Sequence, residues 1–157
     1  MLLTQKICFT HSSGEDIFLF TLRNTQGTEV SITNYGAIIC SFKIKNNDGI
    51  VNDIVLGFDK TEEYMSPEYQ KQRPCFGSAI GRYANRIQNA TFKIDDKKYL
   101  LSKNLGNNQL HGGENGFDKK VWRLVHTGQS PCPFLIFKYI SPDGEEGFPG
   151  NLEVFIR

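Results

Sequence analysis

The chain has 157 residues, 39 % hydrophobic and 22 % charged, which suits one packed domain and argues against a disordered chain. Its 18 Lys and Arg stand against 17 Asp and Glu, a net charge of +1, so no field marks nucleic acid as the partner. No apolar run approaches the ~18 residues of a membrane helix, and Met1-Leu2-Leu3-Thr4-Gln5-Lys6 has neither the basic start nor the long apolar stretch of a secretion signal. Cys8, Cys40, Cys75 and Cys132 form no CxxC pair, so no metal site is expected of them, and a cytoplasmic protein with free thiols is the expectation.

The predicted elements are strands. Val30-Ser31-Ile32 breaks at Asn34-Tyr35-Gly36. In the next run Ile38, Cys40, Phe42 and Ile44 share one parity and Ile39, Ser41 and Lys43 the other, the alternation of a strand with one buried face. Asn46-Asn47-Asp48-Gly49 is a turn signal, and Ile50 to Leu56 completes a hairpin. Thr61 to Tyr69 reads as a short helix with Thr61 as N-cap, stopped by Pro67. A second hairpin joins Phe92-Lys93-Ile94 to Lys98-Tyr99-Leu100-Leu101 through Asp95-Asp96. Trp122 to His126 alternates, with His126 expected on the Trp122/Leu124 face. Phe134 to Ile140 is nearly all apolar, as in a strand covered on both faces. Leu152 to Ile156 alternates to the end of the chain, as a central strand or as part of a larger β domain. The class is all-β, a sandwich or barrel.

Three segments can carry chemistry. In Gly77 to Ile87, two glycines neighbour Arg82, Asn85 and Arg86. They read either as a closely packed strand or as a fork of donors plus an amide, suited to the hydroxyls of a polar ligand. In Asn107 to Asp118, His111 precedes Gly112 and Gly113. Either the loop is a plain turn, or its glycines let the backbone approach a ligand that His111 contacts. Ser141 to Gly150 holds three carboxylates without calcium-loop spacing, and reads as a rigid acidic turn. His11 is a weaker candidate, and no nucleophile stands beside a matched histidine and acid. The residues describe a β-sandwich with a polar pocket near Asn85, Arg86 and His111 for a polyhydroxylated small molecule.

Six motifs together resemble the N-terminal half of the aldose 1-epimerase (galactose mutarotase) family. They are Thr33-Asn34-Tyr35-Gly36-Ala37, the Asp53 to Asp59 segment, Gly77 to Ile87, Leu110-His111-Gly112-Gly113, Gly116-Phe117-Asp118-Lys119 with Trp122, and Ser141 to Gly150. The resemblance implies a large β-sandwich that interconverts the α and β anomers of galactose or glucose with no metal or cofactor. It implies that Asn85, Arg86 and His111 contact the sugar. The family's general acid, a histidine in a His-x-Tyr-Phe-Asn-like motif, and its general base, a glutamate, are expected beyond Arg157. On this reading the chain alone is inactive, and a separate C-terminal half is an expected partner. A non-catalytic carbohydrate-binding or interaction domain, and a relative acting on phosphorylated hexoses, are the alternatives.

Overall fold

A computed structural model describes residues 2–157. The strands are β1 (Leu2–Thr10), β2 (Asp16–Arg23), β3 (Glu29–Thr33), β4 (Ile39–Lys45) and β5 (Val51–Asp53), followed by helix α1 (Pro67–Gln72). Then come β6 (Arg86–Ile87), β7 (Thr91–Ile94), β8 (Lys97–Leu100), β9 (Gln109–Leu110), β10 (Arg123–Gly128), β11 (Phe134–Ser141) and β12 (Leu152–Ile156). An antiparallel five-stranded sheet runs β1-β2-β3-β4-β5, and a three-stranded one runs β10-β11-β12. Two ribbons, β6-β9 and β7-β8, complete the described strands. No helix among the described residues is long and apolar enough to cross a membrane.

The five-stranded sheet is covered on both sides, and β2 shows why. Its alternating side chains serve two cores. Ile17 and Leu19 pack with Tyr35, Ile38, Cys40, Tyr64 and Tyr69 beneath the segment that contains α1. Phe18, Phe20 and Leu22 pack with Trp122, Leu135 and Phe137. The second core joins the two sheets into a sandwich: the Phe20 and Phe137 rings meet edge-on at 5.4 Å, and Phe117 meets Trp122 at 5.6 Å. Burying each such ring contributes ~1.5–3 kcal/mol. A smaller cluster of Ala90, Leu101 and Phe148 lies beneath the β7-β8 ribbon.

Several local expectations change in the structure. The predicted helix is two elements. Thr61–Met65 is a 3-10 turn with no side-chain cap at Lys60, and Ser66 caps α1 by accepting from the Tyr69 N–H at 3.2 Å. Pro67 therefore starts a helix instead of ending one, because its missing N–H has no partner to lose in the first turn. The strand expected over Ile50 to Leu56 is three residues long. The Asp53 carboxylate accepts from the N–H groups of Phe42 and Val55 at 2.9 and 3.2 Å, and the chain then leaves the sheet edge. β11 packs on the core through Leu135 and Phe137, while its other face stays open and Ile140 is 53 % exposed. A bulge between Leu124 and His126 reverses the parity of β10. It puts His126 in the open, against the Phe134 ring at 5.6 Å, and off the Trp122 face.

Candidate functional site

Asn85, Arg86 and His111 come together at the shortest ribbon of the fold. In β6-β9, Arg86 pairs with Leu110 and Ile87 with Gln109. One step further, His111 N–H donates to the Asn85 carbonyl at 3.0 Å, and Asn85 N–H donates to His111 Nδ1 at 3.0 Å. Arg86 Nη1 donates to Asn85 Oδ1 at 3.1 Å. Because Nδ1 accepts a hydrogen bond, the proton of the neutral imidazole sits on Nε2, which keeps a donor available. Asn85 and Arg86 are exposed and His111 is half-buried. The pocket expected from sequence is therefore an open polar shelf in this chain, with supporting residues on one side only. A cavity of about 350 Å³ lies elsewhere, on the five-stranded sheet, lined by Ser31, Ser41, Lys43, Asp53 and Phe58 among others.

The His111 turn is held by side chains from outside it, one nearby in sequence and one far off. Asn104 Nδ2 donates to the carbonyls of Leu110 and Gly113, each at 2.9 Å, and its Oδ1 accepts from Leu110 N–H at 2.6 Å. The Glu146 carboxylate accepts from the N–H groups of Glu114 and Asn115 at 2.9 and 3.0 Å, and from the Ser102 hydroxyl. Gln109, fully buried, donates to the Glu146 carbonyl at 3.2 Å. The two glycines of this turn serve the same packing. Both have positive φ, and a Cβ on Gly112 would overlap the Gly81 carbonyl, while one on Gly113 would strike Glu146. The close approach they permit is to the protein itself, so the expectation that they admit a ligand is not what the geometry uses.

Arg73 and Asp118 form a buried pair beneath the same turn. Arg73 closes α1 in the left-handed conformation, φ 46°, with its N–H on the Tyr69 carbonyl at 2.7 Å. Its guanidinium donates to both Asp118 oxygens at 2.9 and 2.6 Å. It also donates to the carbonyls of Gly113 and, at 3.4 Å, His111. Burial alone would lower the Arg73 pKa, but the Asp118 bond and charge outweigh it and raise it. Cys75 lies alongside, its thiol raised by burial and by Asp118.

Arg82, flagged in the sequence with the other donors, is committed inside the fold. It donates to the Ser141 hydroxyl at 2.8 Å and to the carbonyls of Ser141, Pro142 and Pro149 at 2.9, 2.8 and 3.0 Å. The acidic segment Ser141 to Gly150 is likewise engaged internally. Glu145 pairs with Lys120 at 2.7 Å and accepts from the Tyr139 hydroxyl at 2.6 Å and from Ser141. Burial pushes the Glu145 carboxyl up, but the bonds from Lys120, Ser141 and Tyr139 more than offset that and leave it below the usual glutamate range. Among the described residues no cluster of three His, Cys, Asp or Glu is arranged to hold a metal. His11 bonds Ser13 at 2.7 Å and lies near the Tyr35 ring. Sequence reading missed Asn104, Glu146, Arg73 and Asp118 as supports. Asp118 and Glu146 carried a signal, as parts of the Gly116 to Lys119 and Ser141 to Gly150 motifs.

A sandwich of this topology, with a histidine turn docked on an Asn-Arg pair, has the galactose mutarotase-like fold. The galactose 1-epimerase structure from Lactobacillus acidophilus NCFM superposes with a TM-score of 0.80 at 28 % identity, covering 99 % of this chain and 43 % of that one. A model of the family described as aldose 1-epimerase matches residues 19–157, and the chain belongs to that family. It is 44 % identical over 139 residues to galactose mutarotase of Bos taurus, covering 87 % of this chain and 37 % of the relative. To aldose 1-epimerase of Escherichia coli (strain K12) it is 42 % identical over 145 residues, covering 92 % and 39 %. The chain thus spans about two fifths of the length of the relatives it matches.

Proposed function

We propose that this chain is the sugar-binding portion of an aldose 1-epimerase, with a free hexose such as galactose or glucose lying on the shelf of Asn85, Arg86 and His111. The reading is supported above all by the reciprocal bond between Asn85 and His111, which leaves His111 Nε2–H, the Asn85 amide and the Arg86 guanidinium on one surface. That set offers directed donors to neighbouring sugar hydroxyls. Arg86 stays charged at working pH and favours negative charge on the oxygen it faces.

Anomer exchange needs two proton transfers. A base takes the proton of the anomeric hydroxyl while an acid protonates the ring oxygen, so the C1–O5 bond breaks and C1 becomes an aldehyde. Rotation about C1–C2 and the reverse transfers then close the ring on its other face. Such an acid and base contribute ~10²–10⁴-fold. Here both come from polypeptide outside this chain, which completes the enzyme by pairing with the open β12 edge. That edge carries Leu152 and Phe155, exposed by 41 and 56 %. The four free thiols fit a cytoplasmic setting. A phosphorylated hexose fits less well, since Arg82 is consumed internally and Arg86 faces the shelf without it.

Calorimetric titration with galactose tests the binding. His111→Ala and Arg86→Ala each weaken it by on the order of tenfold, and polarimetry shows no acceleration of glucose mutarotation by the chain alone. No binding by the wild-type chain, or an acceleration that His111→Ala abolishes, overturns the reading.

A further inference from the structure

Building on the reading of the shelf as a sugar site, we propose that Arg73 is a positioning residue that sets the aim of the His111 imidazole. His111 sits at φ 50°, a conformation that costs ~1 kcal/mol or more outside glycine and persists only where neighbours over-determine it. The ring is fixed at Nδ1 by Asn85 N–H, and its main chain is fixed by the turn. Asn104 and Glu146 brace that turn at Leu110, Gly113, Glu114 and Asn115, yet none of these bonds ends on the His111 carbonyl. Among the described residues, Arg73 is the side chain that reaches the His111 carbonyl.

The geometry explains why an arginine holds this place. Asp118 takes one edge of the guanidinium with both oxygens and locks its plane. The remaining N–H groups then point at Gly113 and His111 as a rigid fork. The side chains of Arg73 and Asp118 are only 13 % and 6 % exposed, so water cannot stand in for either. The backbone of Arg73 is pinned in turn by the end of α1. A lysine would keep the charge opposite Asp118 but cannot serve the carboxylate and two carbonyls at once.

Arg73→Lys is therefore the test, in the whole chain. The variant melts below wild type, because a lysine leaves buried acceptors unpaired, and hydrogen exchange of the Asn85 amide, the donor to His111 Nδ1, speeds by on the order of tenfold more than that of the Phe137 amide in the core. Galactose affinity falls by ~10-fold, and in a His111→Ala background Arg73→Lys changes it no further. Asp118→Asn, which frees the guanidinium plane, gives the same pattern and replaces Arg73→Lys if the latter fails to fold. Asn85 exchange that rises no more than that of the Phe137 amide, or an equal loss of galactose affinity with and without His111, overturns the proposal. If the wild-type chain binds no galactose, the sugar reading falls, and the Asn85 amide alone decides the role of Arg73.

Discussion

Replacing Arg82 with alanine removes four hydrogen bonds that tie the Gly81 region to the segment Ser141 to Pro149. Two of them end on Ser141, which has no exposed surface. The other two end on the carbonyls of Pro142 and Pro149, where water can substitute because the chain there is wholly or partly exposed. Hydrogen bonds from a charged donor contribute ~1.5–3 kcal/mol each, so the buried pair is worth ~3–6 kcal/mol. Ordering the arginine side chain offsets ~2 kcal/mol of this, which leaves a net loss of ~1–4 kcal/mol on truncation. For a domain of this size each kcal/mol moves the melting midpoint by ~2–4 °C, so a drop of ~2–16 °C is expected. Trp122, the single tryptophan, is 1 % exposed in the core between the sheets, and its fluorescence reports the transition in urea or on heating. Arg82→Lys recovers part of the loss, since an ammonium can reach only some of the four acceptors. A loss below ~0.5 kcal/mol for Arg82→Ala, within the range of ordinary surface substitutions, would mean that the Glu145 network holds the loop without Arg82.

Acid provides a second test. The folded Glu145 carboxyl lies below its ordinary value, so its contribution is full above the unfolded value of ~4.3 and is lost as pH falls through the folded value. Melting temperatures followed from pH 7 to pH 3 should decline more steeply at the acid end in wild type than in Glu145→Gln, and equal slopes would refute the assignment. At the other end of the fold, β12 pairs only with β11 among the described residues, and Phe155 and Ile140 are 56 and 53 % exposed beside it. Light scattering of the isolated chain should show concentration-dependent self-association that Phe155→Lys reduces, whereas a clean monomer at all concentrations would count against an open interface.

What could be read from the sequence was what is encoded locally. Period-two alternation and the Asn46 to Gly49 turn placed the hairpin of β4 and β5, with Asn46 Oδ1 accepting from the N–H groups of Asp48 and Ile50 at 3.0 and 2.8 Å. The short turn at Asp95-Asp96 placed β7 and β8. Errors arose where one residue had two meanings. Pro67 both ends and begins helices, and only the Ser66 cap decides between them. A single bulged residue in β10 was enough to turn His126 outward. The donors Asn85, Arg86 and His111 stood out by residue type and family resemblance. Their supports did not, because Arg73 and Asp118 are 45 residues apart and Ser102 and Glu146 are 44 apart. Nor could composition say that Arg82 turns inward while Arg86 turns outward.

The reciprocal docking of residues 85 and 111 separates two jobs at one position. Both of its hydrogen bonds run through the main chain of Asn85, so the histidine is indifferent to what projects from that Cα. The φ of +62° at Asn85 narrows the replacements to the types that tolerate this conformation, chiefly glycine, asparagine and aspartate. On the proposed sugar-binding reading, ligand preference is thus retuned across a three-letter alphabet, from amide to carboxylate to bare backbone, without disturbing the imidazole next to it.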